Sequence, residues 1–416
     1  MTLNCHKACE ETRRFRVISI LLGSRVRLLF SCPGFLDETG GFLYNRFPKG
    51  SGAVEQVLTK EYYIRAHETY GCYEGVLELL LAEVQRLQEN PADGEVFLAL
   101  YRAIGEAAAW DDSAVIPEGV TMLSAMAVLA HMPAMIEGLL SDGFDRDMAV
   151  ATAKDVAAET LEAALDGGIP GMDAHLVKWF LKYILRQIVR IGRLNYERLE
   201  RFPCKVRIYR NAQGEDTVFA WDFSVNKDGG AVQEGEEEAF FAAGQEDGTL
   251  VTAHRIVDGK VESTPTTMDV ADCRLMLKQG DAVIRTHIPA FEPFTPDIVA
   301  ASYKKALPVL LRCWPDLQVK AIACKSWMMS PELRKLLPEK SNLLAFQRPY
   351  RYLPSKGNIT SAISCVFRCS HTDYASLPEK SGLQRTMKAH YLAGGVVRFD
   401  YGYILIEDFR KEFCHE

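Results

Sequence analysis

Three short runs between Asp281 and Pro354 gather the side chains best suited to chemistry. The first, AlaValIleArgThrHisIlePro, has the apolar pattern of a buried strand and ends at His287. Imidazole titrates near neutral pH, so His287 is a candidate general base; a histidine hydrogen-bonded at a strand end is equally compatible with the pattern. The second run, AlaIleAlaCysLysSerTrp, closes another strand with Cys324, Ser326 and Trp327. Two residues apart on a strand, Cys324 and Ser326 share a face and Lys325 takes the other. Cys324 is either a thiol nucleophile with His287 as its base or a small packed residue. Ser326 can donate to a carbonyl oxygen or cap a helix, and Trp327 can wall a slot or fill a core. The third run, AsnLeuLeuAlaPheGlnArg, reads as a further strand carrying Asn342 and Arg348. Arg348 suits a phosphate or carboxylate, or an ordinary surface ion pair.

For these groups to meet, the strands must end side by side, because ligands of open α/β sheets sit at the carboxyl ends. Between the first two runs, ThrProAspIleValAlaAlaSerTyr opens a helix with Thr295 at its N-cap and Pro296 in its first turn. Upstream, from about Ala53 to Leu199, the period is helical. Val76, Leu79, Leu80, Val84 and Leu87 recur at three- and four-residue spacing, with breaks at Asn90–Pro91, Pro133 and Asp142–Gly143. The last of these helices is expected from about Met172 to Arg198, with Arg186, Arg190 and Arg193 on a basic edge. At Pro203 the period turns to alternation, and two hairpins follow, the second turning at Asp258–Gly259. The Gly-, Glu- and Asp-rich stretch from Asn226 to Gly248 is expected to be a mobile excursion. After Pro354 the pattern gives a strand through AlaIleSerCysValPheArgCys, a helix and a closing strand. The expected architecture is an all-α domain over residues 53–200 and a mixed α/β domain over 201–416, preceded by an arm over 1–52.

Composition narrows the function further. A net charge of −7 with pI near 5.8 lacks the concentrated basic surface that phosphate-driven nucleic-acid binding requires. Eleven cysteines without a regular framework suit a reducing, cytoplasmic setting. Arg25 and Arg27 interrupt the signal-like segment Arg13–Phe30, and no uninterrupted apolar run reaches the twenty or so residues a membrane span needs. Neither the Cys365, Cys369, His371 cluster nor the Cys5, His6, Cys9 cluster has the paired spacing of a zinc ribbon, so no metal is expected.

HisIleProAlaPheGluProPheThrPro, CysLysSerTrpMetMetSerProGluLeu, SerAsnLeuLeuAlaPheGlnArg and the segment Arg190–Glu197 together resemble the bacterial acyltransferase domain-containing proteins. These join a helical N-acyltransferase N-terminal domain to a GNAT-like C-terminal domain. The resemblance implies acyl-CoA or acetyl-CoA as co-substrate and a small-molecule or peptide amine as acceptor. It also implies that Val283–Ile288 and Val319–Lys325 form a parallel pair that splays to admit the thioester. His287, Ser326 and Cys324 would then be the catalytic candidates, and Thr295, Trp327, Asn342 and Arg348 the cofactor-binding ones. One departure stands out. The loop from Ile288 to Thr295 has two prolines and Glu292 where such folds place glycines that cradle a pyrophosphate. That loop supports an alternative, a non-catalytic GNAT-shaped module that binds a metabolite or peptide.

Overall fold

The computed structural model describes residues 56–107, 118–119, 121–165, 170–289, 292–357, 359–369 and 372–414. The arm expected over 1–52, with the Arg13–Phe30 segment and the Cys5, His6, Cys9 cluster, lies outside the described residues, as does His371.

Seven α-helices precede the first strand among the described residues: α1 (Lys60–Tyr70), α2 (Leu77–Glu89), α3 (Pro91–Glu106), α4 (Met122–Leu129), α5 (Met132–Ser141), α6 (Arg146–Leu165) and α7 (Ala174–Ile184). Their ends follow local chemistry. Thr59, Thr121 and Asp173 accept hydrogen bonds from backbone N–H groups of the first turns of α1, α4 and α7, and Gly71 ends α1 in the left-handed region. By length and composition Met122–Ser141 could cross a membrane, but 72% of it is buried inside the protein.

The chain then forms a six-stranded sheet. Its order is β1 (Ile188–Ile191), β2 (Leu194–Leu199), β11 (Val283–His287), β12 (Ala321–Ser326), β14 (Asp400–Leu405), β13 (Arg351–Leu353). A second sheet is inserted between β2 and β11, in the order β10 (Arg274–Lys278), β3 (Val206–Arg210), β4 (Asp216–Ala220), β8 (Leu250–Val257), β7 (Gln245–Asp247), with β9 (Lys260–Asp269) also on β8. A small pair, β5 (Phe223–Val225) and β6 (Phe240–Ala242), completes the strands. In the first sheet, β11 and β12 are parallel from Val283–Ala321 to Thr286–Cys324, joined by helix α8 (Pro296–Cys313). Their side chains divide between two cores. Ile284, Ile322 and Cys324 pack toward the helices, whereas Val283, Ala321 and Ala323 pack toward the second sheet. Burial on both faces is why these strands read as continuous apolar runs rather than alternating ones.

Four segments differ from the sequence expectation. The helix expected over Met172–Arg198 stops at Ile184, and β1 and β2 follow as a hairpin whose two-residue loop is Gly192–Arg193, with φ +63° at Gly192. Ile188, Ile191 and Leu194 sit three apart and mimic a helix face, so the period alone misleads there. The run at Asn342 is not a strand but a helix (Asn342–Gln347), capped by Ser341, whose Oγ accepts from Leu343 N at 3.2 Å. Ile359–Phe367 is likewise helical, burying Ala362, Ile363 and Phe367 in a third core with Trp327, Met387 and Tyr391. The stretch from Asn226 to Gly248 is built rather than loose. It contains β6 and β7, Asn226 Oδ1 accepts from the backbone of Asp228 and Gly230, and Glu236 pairs with Arg398 at 2.7 Å.

Candidate active site

Antiparallel pairing of β2 with β11 sets Glu197 opposite Arg285 and Asn195 opposite His287. The two pairs are two residues apart along each strand, so all four side chains share a face. His287 Nε2 lies 2.7 Å from Glu197 Oε2, and Arg285 reaches the same oxygen through Nε at 2.8 Å and Nη2 at 2.6 Å. Lys182 Nζ of α7 donates to the other oxygen at 2.9 Å. Trp179, one turn earlier on α7, meets the His287 ring edge-to-face with centroids 4.8 Å apart and carries the Lys182 ammonium 5.2 Å from its own centroid. Glu197 is 4% exposed and the His287 side chain 19%, so the carboxylate is sealed while the imidazole still has an open side.

The electrostatics follow from this arrangement. Burial works to raise the Glu197 carboxyl, but the hydrogen bond from His287 and the charges of Arg285 and Lys182 override it and hold it well below the usual carboxylate range. Burial lowers His287 below its ordinary value, and Glu197 offsets this only in part. At neutral pH the pair is therefore a carboxylate and a neutral imidazole. An ionised carboxylate only accepts, so Nε2 carries the proton, and Nδ1, which has no partner among the described residues, is the basic atom. A fixed tautomer with a free basic nitrogen can take a proton from a nucleophile.

Directly after His287, the glycine-free loop is held by two arginines of the β1–β2 hairpin. Arg190 pairs through Nη2 with Glu292 at 2.5 Å and through Nη1 with Asp155 of α6. Arg193 donates from Nε to Pro293 O at 2.9 Å and from Nη2 to Pro289 O and Glu292 O at 2.8 and 3.2 Å, with its guanidinium 5.4 Å from the Phe294 ring centroid. Glu292 thus shares Arg190 with Asp155, and loop carbonyls turn toward Arg193. This differs from a loop that presents its amides to an anion. Thr295 occupies the N-cap of α8 with Pro296 after it, but its side chain makes no capping bond.

The other candidates named from the sequence do not join His287. Thr286 and Cys324 are register partners on the face toward α8, and Ser326, two residues past Cys324, shares that face. His287 follows Thr286 and so points the opposite way. Ser326 Oγ accepts from Met328 N at 3.2 Å and caps the short 3-10 turn Trp327–Met329, the capping role of the two that the sequence offered for it. Cys324 is fully buried, and burial pushes its thiol up to about 12, so it stays protonated and unreactive. Trp327 belongs to the third core, while Asn342 begins its short helix and Arg348 follows it, both exposed. Thr295, Trp327, Asn342 and Arg348 therefore do not form one cluster around the imidazole. Glu197, Lys182, Arg285 and Trp179 were not among the sequence candidates. The available signal was Gly192: splitting IleValArgIle from LeuAsnTyrGluArgLeu at that glycine gives two strands and puts Asn195 and Glu197 on one face.

A mixed sheet whose central parallel strands cease pairing at Thr286 and Cys324, while both continue, defines a GNAT-like class of fold. Residues 188–404 match the family of the GNAT-like C-terminal domain, and the chain belongs to that family. No curated protein sequence matches it. Among solved structures, an acyltransferase in complex with decanoyl-CoA and teicoplanin is similar at 17% identity and a TM-score of 0.52, covering 87% of this chain and 90% of that one. An acyltransferase in complex with CoA and 10C-teicoplanin gives 17%, 0.51 and the same coverages, and one with decanoyl-CoA gives 18% and 0.50, covering 86% and 89%. At these identities the likeness is one of fold.

Proposed function

We propose that the protein is an acyltransferase that moves an acyl group from acyl-CoA to an amine by direct attack, with His287 as general base and Glu197 as the residue that orients it. The observation that carries this reading is the 2.7 Å contact between His287 Nε2 and Glu197 at the mouth of the opening parallel pair. The similar folds crystallised with decanoyl-CoA and CoA support the donor, and those whose structures include teicoplanin support a small-molecule acceptor. His287 takes the proton through Nδ1, while Arg285 and Lys182 keep Glu197 ionised throughout. Neither Cys324 nor Ser326 takes part.

The test follows CoA release from octanoyl-CoA in the presence of a panel of primary amines. The expected result is amine-dependent release that His287→Ala reduces by about a hundredfold, the usual worth of a general base. Binding of octanoyl-CoA without turnover by any amine would replace this reading with the binding module that the glycine-free loop favours. A stable acyl adduct on the protein would overturn direct transfer.

A further inference from the structure

Helix α6 carries a row of carboxyls that the His287–Glu197 pair does not use. Asp155, Glu159 and Glu162 follow each other at four- and three-residue spacing and so stand on one face. The two ends of the row are matched by cations. Asp155 pairs with Arg190 and Glu162 with Arg368. Glu159, partly exposed between them, has no ion pair among the described residues; burial first, then the charge of Glu162 and a hydrogen bond with it, raise its carboxyl above the ordinary range, and Arg368 offsets this only in part.

A second, independent observation concerns the groups that connect this row to His287. Tyr183 lies within electrostatic reach of Asp155, Glu159 and Glu197, and its hydroxyl accepts from Asn195 Nδ2 at 2.9 Å. The Asn195 amide also lies against Asp155, and Asn195 stands directly across the ladder from His287. Asn195 is 3% exposed, yet its carbonyl oxygen has no hydrogen-bond partner, and neither has Asp155 Oδ2. Buried acceptors without donors are rare because they lose water and gain nothing in return. Here two of them, and a carboxyl without an ion pair, gather around Tyr183, and one of the two belongs to the residue directly across the ladder from the proposed base.

A primary ammonium group supplies what is missing, a positive charge with three N–H donors. We propose that Glu159, Asp155 and Asn195 form the acceptor subsite and recognise the substrate amine as its cation. This rests on the acyl-transfer reading for the fate of the amine, though not for its binding. The ammonium gives one proton to His287 Nδ1; the nitrogen then forms the bond to the acyl carbon as the carbon–sulfur bond breaks. The second nitrogen-bound proton leaves with the departing thiolate, which becomes the CoA thiol.

The test is calorimetric titration of the full chain at pH 7 with hexylamine hydrochloride, with hexanol as the neutral analogue, alongside a separate titration with octanoyl-CoA. Hexylammonium is expected to bind and hexanol to bind at least tenfold more weakly. Glu159→Gln is expected to weaken hexylammonium by about tenfold or more, the size of one charge-assisted hydrogen bond, and to leave octanoyl-CoA affinity unchanged. The same substitution should raise the melting temperature, since it removes a partly buried carboxyl that Arg368 compensates only in part; a carboxyl with a purely structural role would lower it. Should Glu159→Gln not fold, Glu159→Ala is titrated in its place. Equal affinity of parent and variant for hexylammonium, or no preference over hexanol, overturns the subsite. Failure of octanoyl-CoA to bind, with the hexylammonium result intact, removes acyl transfer and leaves the cation subsite standing.

Discussion

Glu197→Gln tests both the energetics and the chemistry of the site. In the parent, one buried carboxylate answers Lys182 at 2.9 Å, Arg285 at 2.6 Å and His287 at 2.7 Å. Glutamine keeps the shape and one acceptor oxygen, but it presents an N–H₂ group to donors and leaves two cations without a counter-charge. Removing one partner of a buried ion pair costs roughly 3–5 kcal/mol. Unfolding entropy of ~2.1 cal/mol/K per residue over the compact unit Phe47–Glu416 converts this to a fall in melting temperature of about 4–6 °C. The sign with pH follows from the depressed native carboxyl. Its contribution is complete above the unfolded value of 4.5 and is lost as the pH falls through the lower native value, so the gap between parent and variant is full at pH 7 and narrows only in acid. Turnover should fall roughly a hundredfold or more, because an amide that can turn either its oxygen or its N–H₂ group to the imidazole no longer fixes the tautomer. Any residual activity should have its acidic limb at lower pH, since Arg285 and Lys182 then repel a proton on His287 without opposition. The measurements are calorimetric melts between pH 4 and 8 and CoA release over the same range. A variant that melts with the parent at pH 7, or keeps its rate and its pH limb, refutes the assignment of Glu197 as anchor.

Three further outcomes separate the site from its scaffold. The parent's rate should rise with pH along a limb lying below 6.5, because burial lowers His287 and only the neutral ring is a base; a limb above 6.5 in the pH–rate profile contradicts this. Cys324→Ser should keep turnover within about twofold, and Ser326→Ala should cost ~1 kcal/mol in denaturant melts through loss of a cap without slowing release, so a large rate loss in either returns that residue to the chemistry. Gly192→Ala should destabilise by ~1–2 kcal/mol, since alanine is strained at φ +63° and its Cβ would meet Ser302 Cβ at 3.2 Å; an unchanged melt would remove the tight turn as the device that sets the β1–β2 register.

Much of the scaffold was legible because its signals are local. The apolar run ending at His287, the Thr295–Pro296 helix start and the run ending at Ser326 specify strand, helix, strand, and a helical crossover of this kind makes the strands parallel. Position along a strand also fixed Cys324 and Ser326 to one face. What remained hidden was that His287 lies on the other face, since this needs the inter-strand register that pairs Thr286 with Cys324. The helix at Asn342 was hidden for a different reason: six residues hold too little period to distinguish it from a strand.

Glu197 was hidden for the strongest reason. It contacts His287 across 90 residues of sequence, nearly all of them spent on the inserted second sheet, so no spacing rule links the two. The register that joins them begins at Gly192, where the chain reverses and Arg193 is delivered to the carbonyls of Pro289, Glu292 and Pro293. One turn therefore serves two ends. It places Glu197 on the base, and it ties down the loop that follows the base. A slip of a single residue in β2 would rotate Glu197 into the α8 core and set Tyr196 against Lys182 and Arg285, leaving the charges of the site unmatched. The cost of that mismatch makes the ion cluster itself part of what specifies the register, and this ties the stability of the fold to the geometry of the proposed base.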